Sequence, residues 1–240
     1  MIFFTADTHF GHNNVIRFCD RPFSSAAEMD EVMIRNWNAR VTGGDTVYIL
    51  GDMFFRSTNA EEILQRLKGK KRLIVGNHDG SWMTKFDYAR YFLSVDKFLE
   101  TSDGRHTLTL CHYPMLTWKH AMRSYMIHGH IHNDTSADFY PLIAARENVL
   151  NAGVDINGFR PVTFEELLEK YPGARMHFLS TKAPRSYTEA TYGPDDFLVF
   201  GRETRGLPES LLRGAFVLPA RQRARFLHSG KIQRAQGFIE

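Results

Sequence analysis

Residues 2–9 read Ile-Phe-Phe-Thr-Ala-Asp-Thr-His, a short apolar segment that runs straight into an Asp-x-His pair. An apolar run this short, rich in aromatic and β-branched residues, suits a strand buried on both faces better than a helix. The same construction returns four times. TVYILG (46–51) leads into Gly51-Asp52, RLIVG (72–76) into Asn77-His78-Asp79, TLTLC (107–111) into His112, and YMIHG (125–129) into His130-Ile131-His132. Helical patterns are expected between them, over 28–40, 60–68 and 84–93. The first puts Met29, Val32, Met33, Asn36 and Trp37 on one face. The second starts after Asn59, an expected N-cap, and stops at Gly69. A later strand is expected over 148–155, and GFRPVTFEELLEKYPGA then reads as a turn, a helix and a stop. Strands alternating with helices predict an α/β layered fold.

The polar clusters all follow strands, and in open α/β sheets the carboxyl ends of the strands form the ligand crevice. Residues far apart in sequence can meet there. Carboxylate, imidazole and amide oxygen together suit borderline divalent cations such as Mn, Fe, Co, Ni or Zn. In extended chain, neighbours at i and i+2 share a face, so both members of Asp7-x-His9 or His130-x-His132 can reach one site. Glycines beside Asp52, Asn77 and His130 permit tight turns and close backbone approach. Two ions about 3.5–4 Å apart need a shared ligand, and a carboxylate can bridge them.

Taken singly, each cluster has a bland explanation. Asp-x-His is usually a surface turn, Gly-Asp is ubiquitous, and Gly-Asn-His-Asp could be a simple turn. His112 alone could be a hydrogen-bonded core histidine. What chance does not explain is five such pieces, each placed after a strand. Around them, His12, Asn13, Arg17, Arg21 and Arg56 are weaker candidates for facing substrate, Arg56 as a bidentate phosphate ligand. His128 shares strand parity with His130 and could support it. His106 and His120 have no supporting context.

The ordered set Asp-x-His, Gly-Asp, Gly-Asn-His-Asp, His and Gly-His-x-His resembles the calcineurin-like metallophosphoesterase family over residues 1 to about 160. The opening TADTHFGHNNVIRFCDRPF is also similar to a group of small bacterial and phage-type members. The resemblance implies a four-layer α/β/β/α sandwich. It implies that Asp7, His9 and His132 hold one divalent metal, that Asn77, His112 and His130 hold a second, and that Asp52 bridges them. His78 would be the general acid and not a ligand, with Asp79 orienting it. The implied activity is hydrolysis of a phosphomonoester or phosphodiester, a small molecule or a nucleotide. The attacking species would be a hydroxide bridging the two metals, for which Mn is favoured.

Composition bounds the remainder. At 43% hydrophobic and 24% charged residues, the chain is of ordinary globular type. No stretch approaches the roughly 18 apolar residues of a membrane span, and the start lacks the basic leader of a signal peptide. Cys19 and Cys111 give no disulfide framework, so a cytoplasmic location is expected. Oligomeric state is not legible. Up to Arg160 acidic and basic residues balance, so the net charge of +3 comes from the rest of the chain. Between Arg213 and Arg234 there are six basic residues and no acidic one. A solvated, poorly ordered tail over 213–240 is the plain explanation, and contact with nucleic acid is the sharper one.

Residues 161–212 carry a second pattern. FGRETRGLP and the loop STKAPRSYTE resemble the SPOUT superfamily of RNA methyltransferases, and among them tRNA 2′-O-methyltransferases of the wobble nucleotide. The resemblance places Gly201, Glu203 and Gly206 at S-adenosylmethionine positions. The family's N-terminal half and its final cofactor loop have no counterpart, so this segment is expected to be an incomplete, inactive methyltransferase-like piece. A fused remnant, a module that pairs with a partner chain, and a join of two reading frames after Leu212 all stay open.

Overall fold

The computed structural model describes residues 1–170, 176–180, 185–186, 189, 191, 197–200, 216–217 and 232–234. The chain forms two compact units, one of Met1–Thr135 with Asn148–Tyr171, the other of Ser136–Glu147 with Pro172–Glu240.

In the first unit the elements run β1 (Ile2–Thr5), α1 (Asn13–Phe18), α2 (Ala26–Arg40), β2 (Thr46–Ile49), α3 (Ala60–Arg66), β3 (Lys70–Ile74) and α4 (Gly80–Met83). A 3-10 turn (Tyr88–Tyr91) leads into β4 (Phe92–Asp96), β5 (Phe98–Ser102), β6 (Thr107–Cys111) and β7 (Tyr125–His128). One sheet has the order β1-β2-β3-β4 and is parallel throughout. After α5 (Tyr140–Ala144), which belongs to the second unit, come β8 (Val149–Asn151) and α6 (Phe164–Lys170). The second sheet has the order β5-β6-β7-β8, with only the β5/β6 pair antiparallel.

Strand alternation builds two cores. Phe3, Val47, Ile49 and Leu73 face Met29, Met33 and Trp37 of α2 and Ile63 and Leu64 of α3. Their neighbours Phe4, Tyr48, Leu50 and Ile74 point the other way, into a core shared with Leu108, Leu110, Ile127 and Leu150 of the second sheet. Phe164 and Leu167 of α6 extend that second core. The result is a mixed α/β sandwich of two sheets, the class that the resemblance implied.

Helix α2 starts earlier than its apolar pattern suggested. Ser25 caps it by accepting from Glu28 N, and Glu28 reaches back to Ser24 N at 2.8 Å. Its buried face uses Asp30 and Ile34 rather than Val32 and Asn36. Asn59 stands at the N-cap of α3, yet its side chain accepts from Ser57 Oγ and caps nothing.

The helix expected over 84–93 does not form. Only the turn at Tyr88–Tyr91 is helical, and the chain then enters β4. Phe86, Tyr88, Tyr91 and Phe92 all pack against the first core around buried Trp82. Their spacing fits no single helical face, so tertiary packing overrides local helix propensity.

The second unit contains α5 and a sheet of order β10-β12-β9-β11-β13, formed by β9 (Met176–Ser180), β10 (Arg185–Ser186), β11 (Phe197–Phe200), β12 (Phe216–Val217) and β13 (Ile232–Arg234). Only its β11/β13 pair is antiparallel. Gly201, Glu203, Gly206, the expected stop after α6, and all of 213–240 except β12 and β13 lie outside the described residues. Among the described residues no helix is long and apolar enough to cross a membrane.

Candidate metal centre

The five polar clusters follow β1, β2, β3, β6 and β7, and the fold brings them together at the carboxyl ends of those strands. Five of their residues have left-handed backbone: Asp7 (φ 55°), His9 (50°), Asp52 (52°), His130 (72°) and His132 (49°). Each such residue costs on the order of 1 kcal/mol or more, and such strain gathers at functional sites. Cross-links between the loops hold it in place. Asp7 N donates to Gly51 O and His9 N to Asp52 O, both at 3.0 Å, while His130 N donates to the Asp7 carboxylate.

Two groups of ligand atoms result. In the first, one atom each from Asp7, His9 and His132 lie within 4.8 Å of one another. Both ring nitrogens of His9 are buried, and neither has a hydrogen-bond partner. Burial drives the His9 pKa down to about 2, with further lowering from His132, so the ring is neutral with a free lone pair. Burial also raises Asp7 to about 6. A buried imidazole without partners beside a buried carboxylate is what a cation would satisfy.

The second group joins Asp52, His112 and His130. Asn77 Oδ1 lies 3.0 Å from His112 Nε2 and 3.1 Å from His130 Nδ1. His112 Nδ1 sits 2.8 Å from Leu50 O; a proton there donates to the carbonyl and leaves Nε2 as the metal-facing atom. Burial works against charge on His112, but its hydrogen bond to Asp52 prevails and lifts its pKa; a cation would displace that proton.

Asp52 lies between the groups. Its Oδ2 is 3.4 Å from His112 Nε2, 3.7 Å from His9 Nε2 and 3.9 Å from His78 Nε2. His78 N donates to Asp52 Oδ1 at 2.8 Å, and the His78 side chain, 42% exposed, stands at the mouth against Phe55 and His9. The donor set, imidazoles with carboxylates and one amide oxygen, fits borderline divalent cations.

Asp79 does not touch His78. It is fully buried and accepts from Asp52 N, Met53 N, Gly76 N and Trp82 Nε1, so it fixes two strand-end loops instead. Those loops approach so closely that a Cβ on Gly76 would lie 2.5 Å from Asp52 N. Gly76→Ala is therefore expected to destabilise the fold by about 1–3 kcal/mol in urea unfolding and to reduce bound metal. Unchanged stability and metal content would show that the loops can separate.

Arg21 is not a phosphate ligand. It is buried, with Nε 2.7 Å from Asp155 Oδ1 and the NH2 nitrogen 3.0 Å from Asp155 Oδ2. It also donates to Thr8 O and Asp7 O. Asp155 Oδ2 in turn lies 2.8 Å from His132 Nδ1. Burial opposes charge on His132, yet the Asp155 hydrogen bond, helped by Cys19 and Asp7, raises its pKa to about 10. Asp155 is the functional residue that the sequence reading missed; its one local signal is a carboxylate at the end of an expected strand. Cys19, His132 and Asp155 also cluster, but Arg21 already occupies both Asp155 oxygens.

Asn13 is exposed, and its Oδ1 accepts from Ala26 N. His128 is fully buried, its Nδ1 2.8 Å from Gly129 O. His12 stacks on Phe55 at 3.9 Å, while Arg17 and Arg56 are exposed beside the rings of Phe18 and Phe55.

A model of the calcineurin-like phosphoesterase family matches residues 1–208. An uncharacterised protein of Methanocaldococcus jannaschii is 34% identical over 175 residues, 70% of this chain and 92% of that one. The crystal structure of a protein of unknown function from Aquifex aeolicus superposes with a TM-score of 0.57 at 25% identity, covering 71% of this chain and 98% of that one. A tRNA (cytidine(34)-2′-O)-methyltransferase of Escherichia coli K12 is 38% identical over 78 residues, 31% of this chain and 48% of that enzyme.

Proposed function

The chain belongs to the calcineurin-like phosphoesterase family, and on that premise we propose that it hydrolyses a phosphomonoester or phosphodiester with two divalent cations, Mn favoured. The observation that carries this is the single Asp52 oxygen facing both ligand groups and His78. Asp7, His9 and His132 would hold one cation, Asn77, His112 and His130 the other, and Asp52 both. Cations held there act as Lewis acids and bring the pKa of water toward neutrality.

The protein's own groups do the rest. Asp7 and Asp52 balance the cationic charge. Asp79 and the Arg21–Asp155 pair keep the loops and His132 in register. His78, its backbone pinned to Asp52, holds a proton at Nε2 and delivers it to the leaving oxygen.

Hydrolysis of p-nitrophenyl phosphate and bis-p-nitrophenyl phosphate across a panel of divalent metals tests the reading. Failure to cleave either, with the protein folded, sinks it. His78→Ala is expected to lower kcat by roughly 10²–10⁴-fold while metal content stays near that of the unmodified protein. A parallel loss of metal would make His78 a ligand. The segment similar to the methyltransferase spans 48% of that enzyme, which supports a methyltransferase reading less well than the metal-ligand clusters support hydrolysis.

A further inference from the structure

We propose, resting on the phosphoesterase reading, that the preferred substrate is a phosphodiester whose retained substituent is a nucleoside or a similarly flat aromatic group seated on Tyr113. Two observations lead there. The first is the state of the cations. A monoester presents a dianionic head, and beyond the metals it is best held by a guanidinium fork. Among the described residues Arg21 is the buried arginine at this site, and it is fully engaged, while Arg56 is exposed and lies over the Phe55 ring. The Nε and NH2 nitrogens of Arg21 go to Asp155, and its NH1 nitrogen to Thr8 O. A diester carries one charge fewer and needs no such fork.

The second is the placement of rings on either side of the shared Asp52 oxygen. On the side of the first ligand group, Phe55 lies 5.1 Å from the His78 ring and 6.4 Å from the His9 ring. It is already covered, with His12 stacked at 3.9 Å and the Arg56 guanidinium at 5.4 Å. On the side of the second group, Tyr113 lies 4.6 Å from the His130 ring and 5.0 Å from the His112 ring. Both of those contacts are edge-on, at 65° and 69°, so neither histidine stacks over the tyrosine. Tyr113 is 46% exposed, and its hydroxyl makes no hydrogen bond among the described residues.

The acid His78 marks where the leaving group departs. The substituent retained on phosphorus then extends toward the second group and Tyr113. A flat group stacked on an aromatic side chain there gains roughly 10–100-fold in binding. Tyr113 is thus a specificity-determining residue that sets which diester is used.

The test holds the leaving group constant. p-Nitrophenyl phosphate, methyl p-nitrophenyl phosphate and thymidine 5′-p-nitrophenyl phosphate all release p-nitrophenolate and differ only in what stays on phosphorus. The expected order of kcat/KM is thymidine diester above methyl diester above monoester, the first step being roughly 10–100-fold. Tyr113→Ala should remove most of that step through KM, with a much smaller effect on the methyl diester. Tyr113→Phe, which keeps the ring, should preserve it. A monoester preference, equal rates for the two diesters, or equal losses on both in Tyr113→Ala would overturn the proposal. Absence of hydrolysis of all three with every metal would overturn the phosphoesterase reading itself, and this proposal with it.

Discussion

Asp52→Asn is expected to lower kcat/KM by on the order of 10³-fold, about 4 kcal/mol of transition-state stabilisation, and to cut bound metal from two ions per chain to one or none. The substitution is nearly isosteric, and Asn can still accept from His78 N through Oδ1, as Asp52 does at 2.8 Å. What disappears is the charge on Oδ2, the atom that faces His9, His112 and His78 within 3.4–3.9 Å. Burial by itself would raise the Asp52 pKa, but the hydrogen bond and charge of His112 hold it down near 2, so the carboxylate is ionised at any working pH. An amide carries no charge to share between two cations. The metal-free variant is expected to lose on the order of 2 kcal/mol of stability near neutral pH, because the charge that His112 stabilises is gone, while relief of Asp7 from a neighbouring carboxylate offsets only part of the loss. Metal analysis, kinetics and unfolding of the metal-free protein separate loss of the bridge from loss of the fold. Two ions retained with near-normal turnover would refute the bridging role.

The strands and the clusters behind them were legible because both signals are local. An apolar run such as TVYIL and the Gly-Asp after it need no knowledge of the rest of the chain. The site around them was less legible, because its supports act over long range. Arg21 and Asp155 are 134 residues apart and share no pattern. Asp79 sits next to His78 in sequence, which suggested a partnership, but the turn aims its carboxylate at the backbone of Asp52, Met53 and Gly76. The left-handed backbone at five candidate ligands was not legible either, since Asp and His enter that region more often than most residues but usually do not adopt it. The missed strand β4 had the same cause. Its first two residues, Phe92 and Leu93, fell at the end of the helix expected over 84–93, and they enter a strand because β4 pairs in parallel with β3.

Charge pairs of this long-range kind predict a separation of stability from metal binding. Arg21 and Asp155 are almost completely buried, at 0% and 1% side-chain exposure. Arg21→Met leaves buried Asp155 with His132 as its remaining cationic partner, and Asp155→Leu strips the carboxylate from both Arg21 and His132; each is expected to cost about 3–5 kcal/mol in chemical unfolding, Asp155→Leu the more. The double variant Arg21→Met with Asp155→Leu removes both charges and should recover most of that loss. Metal binding should not recover with it. His132 Nδ1 donates to Asp155 Oδ2 at 2.8 Å, and that bond aims the ring at Asp7 and His9. Without it, affinity at the first ligand group should fall roughly 10–100-fold, in the single Asp155→Leu variant and in the double variant alike. The second group draws on Asn77, His112 and His130, none of which hydrogen-bonds to Asp155, so its affinity should hardly change. Calorimetric titration of the metal-free proteins with Mn resolves the two steps. A double variant that regains stability and also binds its first ion as tightly as the parent would reduce the Arg21–Asp155 pair to a structural brace. Weakened first-ion binding in a restabilised protein would establish it as the device that orients His132.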